Sequence, residues 1–299
     1  MTRMLLPLLL LSATAGRAQQ PFFDTDSLLA PGATPVLVDS GFAFTEGPAV
    51  DKAGNIFFTD QPHDRIWEYD RDGRLSLFMQ GTGRSNGMYF DGKGNLISCA
   101  DFKDELWSIS PSRKIRVLVT GYEGHRLNGP NDLWVDARGG IFFTDPYYQR
   151  PYWDRTHPDL PGQYVFYLPP GSHDPVIADS SLVKPNGIVG TPDGRILYVA
   201  DIQDNKIYRF HIGPAGQLSD RTLFAPMGAD GITLDDRGDL YLCGDGVTVY
   251  DPGGRKIAHL PIPEKWTANI CFGGRDKKTL FLTASKSIYV VRMRVAGVE

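Results

Sequence analysis

The sequence predicts an all-β chain folded as a six-bladed β-propeller, its ring closed by an N-terminal strand that completes the last blade. Three observations predict it. One phrase of apolar runs and turn residues recurs six times along the 299 residues. Successive copies start 40, 45, 55, 44 and 39 residues apart, close to the size of one four-stranded blade. The 33 glycines and 22 prolines accompany no long helical periodicity, which favours short strands joined by turns.

Each copy opens on a polar lead residue, usually followed by Gly, then gives an apolar strand, a Gly turn and a second strand ending near an acid. The first runs Glu46-Gly-Pro-Ala-Val-Asp51 and Gly54-Asn-Ile-Phe-Phe-Thr-Asp60. The second is led by Asn86 and ends at Asp101, and the third is led by Asn131 and ends at Asp145. The fourth is led by Asn186 and ends at Asp201, and the fifth is led by Asp230 and ends at Asp245. The sixth is weaker, from Asn269 to Ser285. A third strand follows every copy, as in Ile66-Trp-Glu-Tyr, and a fourth follows most, as in Leu75-Ser-Leu-Phe. Repeat six stops at its third strand, whereas Pro35-Val-Leu-Val-Asp39 stands alone before repeat one. That lone strand is expected to complete the last blade and remove an exposed edge. The propeller domain is therefore assigned to residues 35–299, and 19–34 to an N-terminal extension.

The first 18 residues read as a secretory signal: Arg3, an apolar run Met4–Leu11, then small residues with a cleavage site after Ala18. The run is too short to span a bilayer, so export to the periplasm or medium without a membrane anchor is expected. A net charge of −4 with no basic stripe excludes nucleic acid as an expected partner. Cys99, Cys243 and Cys271 are too few for a disulfide framework and read as buried thiols, with a Cys243–Cys271 pair as the alternative. Trp67, Trp107 and Trp134 read as core. The six histidines lack zinc-ligand spacing, and no phosphate loop is present.

In a propeller the innermost strands line the central channel, so equivalent positions converge on the axis. The lead residues Glu46, Asn86, Asn131, Asn186, Asp230 and Asn269 all carry a side-chain oxygen. Such hard donors suit calcium, magnesium or manganese. The plainer alternative is that Asn-Gly and Asp-Gly mark turns. Asp60, Asp101, Asp145 and Asp201 are expected to cap strand ends. The interval Tyr147–Gly162, aromatic and Pro-rich, is long enough to be functional.

Six motifs in order carry a family resemblance: Phe-Thr-Glu46-Gly-Pro, Arg126-Leu-Asn128-Gly-Pro-Asn131-Asp, Phe-Phe-Thr-Asp145-Pro, Lys-Pro-Asn186-Gly-Ile, Ala-Asp230-Gly-Ile and Phe272-Gly-Gly. The chain resembles the senescence marker protein/gluconolactonase/luciferin-regenerating enzyme family, and its bacterial gluconolactonase branch in particular. The resemblance implies hydrolysis of a sugar lactone to the open-chain aldonic acid. It implies one divalent metal on Glu46, Asn186 and Asp230 with Asn131 beside it. Calcium is the first choice, with zinc, manganese or magnesium as alternatives. It also implies Asp230 as the base that activates water, and Arg126, Asn128 and Asn131 as substrate contacts. A cation on Asp230 weakens it as a base, so water activated by the ion is the alternative nucleophile. Two other functions stay open: a broader esterase or organophosphate hydrolase, suggested by the aromatic stretch Tyr147–Trp153, and a non-enzymatic ligand-binding propeller.

Overall fold

A computed structural model describes residues 27–299; the signal-peptide assignment lies outside the described residues. Blade 1 comprises β2 (Thr45–Val50), β3 (Ile56–Asp60), β4 (Arg65–Tyr69) and β5 (Leu75–Gln80). Blade 2 comprises β6 (Ser85–Phe90), β7 (Leu96–Ala100), β8 (Glu105–Ile109) and β9 (Ile115–Val119). Blade 3 comprises β10 (Leu133–Val135), β11 (Ile141–Asp145), β12 (Tyr164–Leu168) and β13 (Val176–Asp179). Blade 4 comprises β14 (Pro185–Gly190), β15 (Ile196–Asp201), β16 (Lys206–Ile212) and β17 (Leu218–Ala225). Blade 5 comprises β18 (Ile232–Leu234), β19 (Leu240–Gly244), β20 (Gly246–Tyr250) and β21 (Lys256–Leu260). Blade 6 comprises β22 (Thr267–Gly273), β23 (Thr279–Ala284), β24 (Ser287–Arg292) and the N-terminal β1 (Val36–Ser40).

All ladders are antiparallel, and β1 closes the ring on β24 with Val36 opposite Val290 and Ser40 opposite Ser287. The packed body also takes in part of the presumed extension. Leu28 is fully buried, and Leu29 bridges Met293.

Burial falls from hub to rim, as the sequence pattern requires. Strands β3, β7, β11 and β19 are buried along their whole length, because each blade is covered on both faces by its neighbours. The outermost β1, β5 and β9 are largely exposed or half-exposed. Interblade cores are aromatic and aliphatic: Phe58 packs against Phe281, and Phe143 stacks on Phe166 within blade 3. Trp134 is buried as expected, but Trp67 and Trp107 are only half-buried. All three cysteines are buried and free, so the Cys243–Cys271 pair is not formed.

Three of the four acids expected as strand-end caps are caps. Asp60 accepts from the backbone N–H of Ala43, Asp145 from Asn128 and Gly129, and Asp201 from Val183 and Lys184. Each thereby staples the loop that leads into its own blade's innermost strand. Asp101 departs from the pattern. Its carboxylate accepts from Arg150 Nε at 3.1 Å and from the Tyr152 hydroxyl, so it anchors the long β11–β12 loop instead. Asp64 takes over the stapling in blade 2, accepting from Thr82 and Arg84.

The glycine after a lead residue has a physical reason that is not a turn. A Cβ on Gly187 would lie 2.1 Å from the Asp230 carbonyl oxygen, and one on Gly231 would lie 2.0 Å from Asn269 Oδ1. The same collision with the next blade's lead position arises at Gly47 and Gly87. The blades approach too closely at the hub to admit a side chain there.

Candidate functional site

The six lead residues lie at the same ends of the innermost strands. Glu46, Asn86, Asn186 and Asn269 fall within β2, β6, β14 and β22, while Asn131 and Asp230 fall just before β10 and β18. Five are buried, and Asp230 keeps part of its surface open. Interblade hydrogen bonds fix their height: Gly87 N–H donates to Asn131 O at 2.7 Å, and Gly231 N–H to Ala268 O at 2.7 Å.

Glu46 and Asp230 form the acidic centre. Burial, followed by repulsion from Asp230, holds the Glu46 carboxyl well above the usual range, against the Gly47 N–H and the Asn269 amide. Burial pushes Asp230 up to about 6, opposed by hydrogen bonds from Trp266 and Asn186 and by the charge of Arg150. The indole Nε1 of Trp266 donates to Asp230 Oδ2 at 2.7 Å. Asp132 is a third buried acid, raised to about 7 by burial. It accepts from Leu133 N–H at 2.9 Å and from Asn269 Nδ2 at 3.4 Å. Asn186 Nδ2 donates to the Tyr148 hydroxyl at 3.1 Å.

Two carboxylates with amide oxygens beside them, held in a buried site where their like charges repel, fit a hard divalent cation. The ion would offset the repulsion and use the oxygens as ligands. Among the described residues no group of three or more His, Cys, Asp or Glu is placed to hold a metal, so the amides of Asn186 and its neighbours would have to complete the set.

Arg126 and Asn128 are placed differently from the acidic centre. Arg126 pairs with Asp154 at 2.7 Å and Asp159 at 3.0 Å, both on the β11–β12 loop. Asn128 is fully buried, and its Nδ2 donates to the backbone oxygens of Asp145 and Gly162. Its Oδ1 is buried without a partner. As bonded here, both residues hold the loop, and either would have to exchange a bond to meet a substrate.

The residues that sequence reasoning missed are Tyr148, Trp266, Asp132, Arg150 and Lys184. The loop 147–162 is tied down firmly. Trp153 Nε1 donates to Asp101 O at 2.8 Å, and the buried Arg155 pairs with Asp104 at 2.8 Å beneath the Trp153 ring. That anchoring carries Tyr148 to Asn186, where burial and then the nearby Asp230 charge push its phenol up to about 12. The aromatic content of the loop was the available signal for Tyr148. Trp266 stands three residues before a lead position, where nothing in the repeat marks it.

A separate cleft of about 680 Å³ lies at the far ends of the innermost strands of blades 2 and 3, lined by Phe90, Val135, Arg116 and Lys93 among others. None of the six lead residues lines it.

The family described as the SMP-30/Gluconolactonase/LRE-like region matches residues 44–286. A gluconolactonase of Zymomonas mobilis is 28% identical over 296 residues, covering 88% of this chain and 83% of the relative. A solved gluconolactonase from Xanthomonas campestris superposes with a TM-score of 0.83 at 27% identity, covering 91% of this chain and 93% of the other. Regucalcin from Agrobacterium tumefaciens shares the fold, with a TM-score of 0.73 at 19% identity over 90% of this chain and 95% of its own. The chain belongs to the SMP-30/gluconolactonase/LRE-like family.

Proposed function

We propose that this family member hydrolyses a sugar lactone, of the gluconolactone kind, to the open-chain aldonic acid at the Glu46–Asp230 centre. One observation carries the reading. Asp230 is the lead residue that stays partly open, and its carboxylate is oriented by the Trp266 Nε1–H at 2.7 Å. The gluconolactonases of Zymomonas mobilis and Xanthomonas campestris support the substrate class.

Glu46, Asn186 and Asp230, with Asn131 adjoining, would hold the metal. The regucalcin relative is described as a calcium-binding protein, which supports calcium. When bound, the ion supplies Lewis-acid polarisation of the lactone carbonyl. The remaining chemistry belongs to the chain. Asp230 takes a proton from the attacking water as a C–O bond forms at the carbonyl carbon. The ring C–O bond then breaks, and the same proton passes to the departing ring oxygen as its hydroxyl. Trp266 holds Asp230 Oδ2 and so orients the carboxylate that takes the proton. Tyr148 and the hub amides exclude bulk water and orient the carbonyl. Arg126, Asn128 and Asn131 are the candidate contacts for the substrate hydroxyls or carbonyl, with Arg126 and Asn128 first exchanging bonds that hold the β11–β12 loop.

The test is acid release from glucono-1,5-lactone in a pH-stat, for the metal-replete and the chelated protein and for Asp230→Asn. The replete wild type is expected to be active, with the other two reduced at least about a hundredfold. Undiminished activity in either would overturn the mechanism. The run Met4–Leu11 supports export, which sequencing the mature N-terminus from a periplasmic or culture-medium fraction would check.

A further inference from the structure

We infer that the site selects lactones bearing a second, non-reacting anionic group, such as a carboxylate or phosphate at the far end of the sugar, and that Lys184 and Arg150 receive it. The inference rests on the lactonase reading and names its substrate class. Two cations flank the Tyr148 ring, which reaches the hub at Asn186. The Lys184 ammonium lies 3.9 Å from the Tyr148 ring centroid, and the Arg150 guanidinium lies 5.7 Å from it. The hydroxyl of the same ring accepts from Asn186. The cations therefore stand one tyrosine away from a candidate metal ligand.

Both are held in place. Asp201 accepts from the Lys184 backbone N–H at 3.0 Å, and Asp101 accepts from Arg150 Nε at 3.1 Å. Both side chains are only partly buried, so they can meet a ligand. Arg150 is paired with Asp101, and the Lys184 charge is left without a bonded carboxylate among the described residues. Asp101 is shared among Arg150, Tyr152 and Gln61. Asp230 supplies counter-charge to Arg150 in the metal-free protein. With a divalent ion bound that carboxylate is offset, and the Lys184–Arg150 pair keeps one positive charge beyond Asp101. A second anion on the substrate would supply that missing charge through charge-assisted hydrogen bonds to Lys184 and to the Arg150 nitrogens other than Nε. A neutral aldonolactone would leave the charge unused.

The experiment compares kcat/KM for glucono-1,5-lactone with kcat/KM for 6-phosphogluconolactone and a glucarolactone, using the metal-replete full chain. Wild type is expected to favour the anionic lactones by about tenfold or more at low salt, with the preference shrinking as ionic strength rises. Lys184→Met is expected to bring the ratio close to one, mainly through KM, and Lys184→Arg to keep it. Calorimetry gives a second readout: glucarate should bind wild type more tightly than gluconate, and Lys184→Met should erase the difference. Equal kcat/KM on neutral and anionic lactones, or a preference that survives Lys184→Met, would overturn the inference while leaving the lactonase reading intact. If no lactone is opened, the lactonase reading fails, and the glucarate–gluconate comparison still decides whether the two cations bind an anion.

Discussion

Gly187→Ala tests the rigidity of the hub with one methyl group. The backbone of Gly187 is not in the left-handed region, so alanine meets no torsional objection there. The whole effect is collision. The new Cβ would lie 2.1 Å from the Asp230 carbonyl oxygen, where ordinary contact begins at 3.4 Å, so 3.4 − 2.1 leaves about 1.3 Å to be found. The obstacle is backbone, also 3.1 Å from Gly231, and cannot swing aside as a side chain would. Overpacking of this kind costs about 1–3 kcal/mol. In a domain of this size each kcal/mol shifts Tm by about 2–4 °C, so a fall of roughly 2–12 °C is expected. Asp230 moves with its carbonyl, and a displacement near 1 Å at a reacting group costs on the order of a hundredfold in rate. Calorimetric Tm and lactone kcat are measured side by side. Gly92→Ala serves as the control, because a Cβ there meets nothing within 4 Å, and it should stay within about 0.5 kcal/mol of wild type. Wild-type Tm and kcat in Gly187→Ala would refute the claim that interblade contact sets the position of Asp230.

Other consequences can be read in the same preparations. Trp266→Phe removes the donor that stabilises ionised Asp230, so the Asp230 pKa should rise. The acid limb of the kcat/KM profile should move up by about half to one pH unit, the indole being partly exposed; an unmoved limb would show that Trp266 does not act through Asp230. In chelated protein Asp230 and Asp132 titrate near 6 and 7, above the ordinary 3.8. A raised folded pKa means stability present at low pH and lost as pH rises from about 4 through 7. His259, held below its ordinary value by burial, works the other way below about 6.5. Adding calcium to chelated protein should therefore raise Tm more at pH 8 than at pH 5, and an equal rise at both would count against a metal on these acids. Finally, burial pushes the thiols of Cys99, Cys243 and Cys271 up. Native protein should not react with a thiol reagent, and all three should react after denaturation, with no change of mass on reduction.

The blades were legible because repetition multiplies a weak signal. A single run such as Ile56–Asp60 does not distinguish strand from buried helix, but its recurrence in register with a Gly turn does. Closure was legible for a similar reason: repeat six lacked one strand and Val36–Ser40 had no other partner. The lead ring was half legible. Its positions could be read, but the glycines beside it suggest turns when seen one at a time. Only the approach of the next blade's backbone explains them. Tyr148, Trp266 and Lys184 were not legible, because loops deliver them and a loop's path depends on its anchors. Asp101 shows how far that goes. It holds a cap position in the repeat, yet its carboxylate is spent on Arg150 and Tyr152, and so decides where Tyr148 arrives.

The closure of the ring has a kinetic side. Val36 and Val290 are the partners that join the two ends of the propeller, and every other ladder pairs strands that follow one another along the chain. The five intervening blades can assemble from neighbours, so the seam between blades 6 and 1 is the step that waits longest for its loop to close. Glu46 stands on one side of that seam and Asn269 on the other, and the Asn269 side chain favours the charged form of Glu46 across it. The acidic centre is thus unfinished until the last contact forms, and a cation held there would act as a clasp on the ring. Release of that clasp should be seen first as faster amide exchange in β1 and β24, before any of the inner strands of blades 2 to 5 loosen.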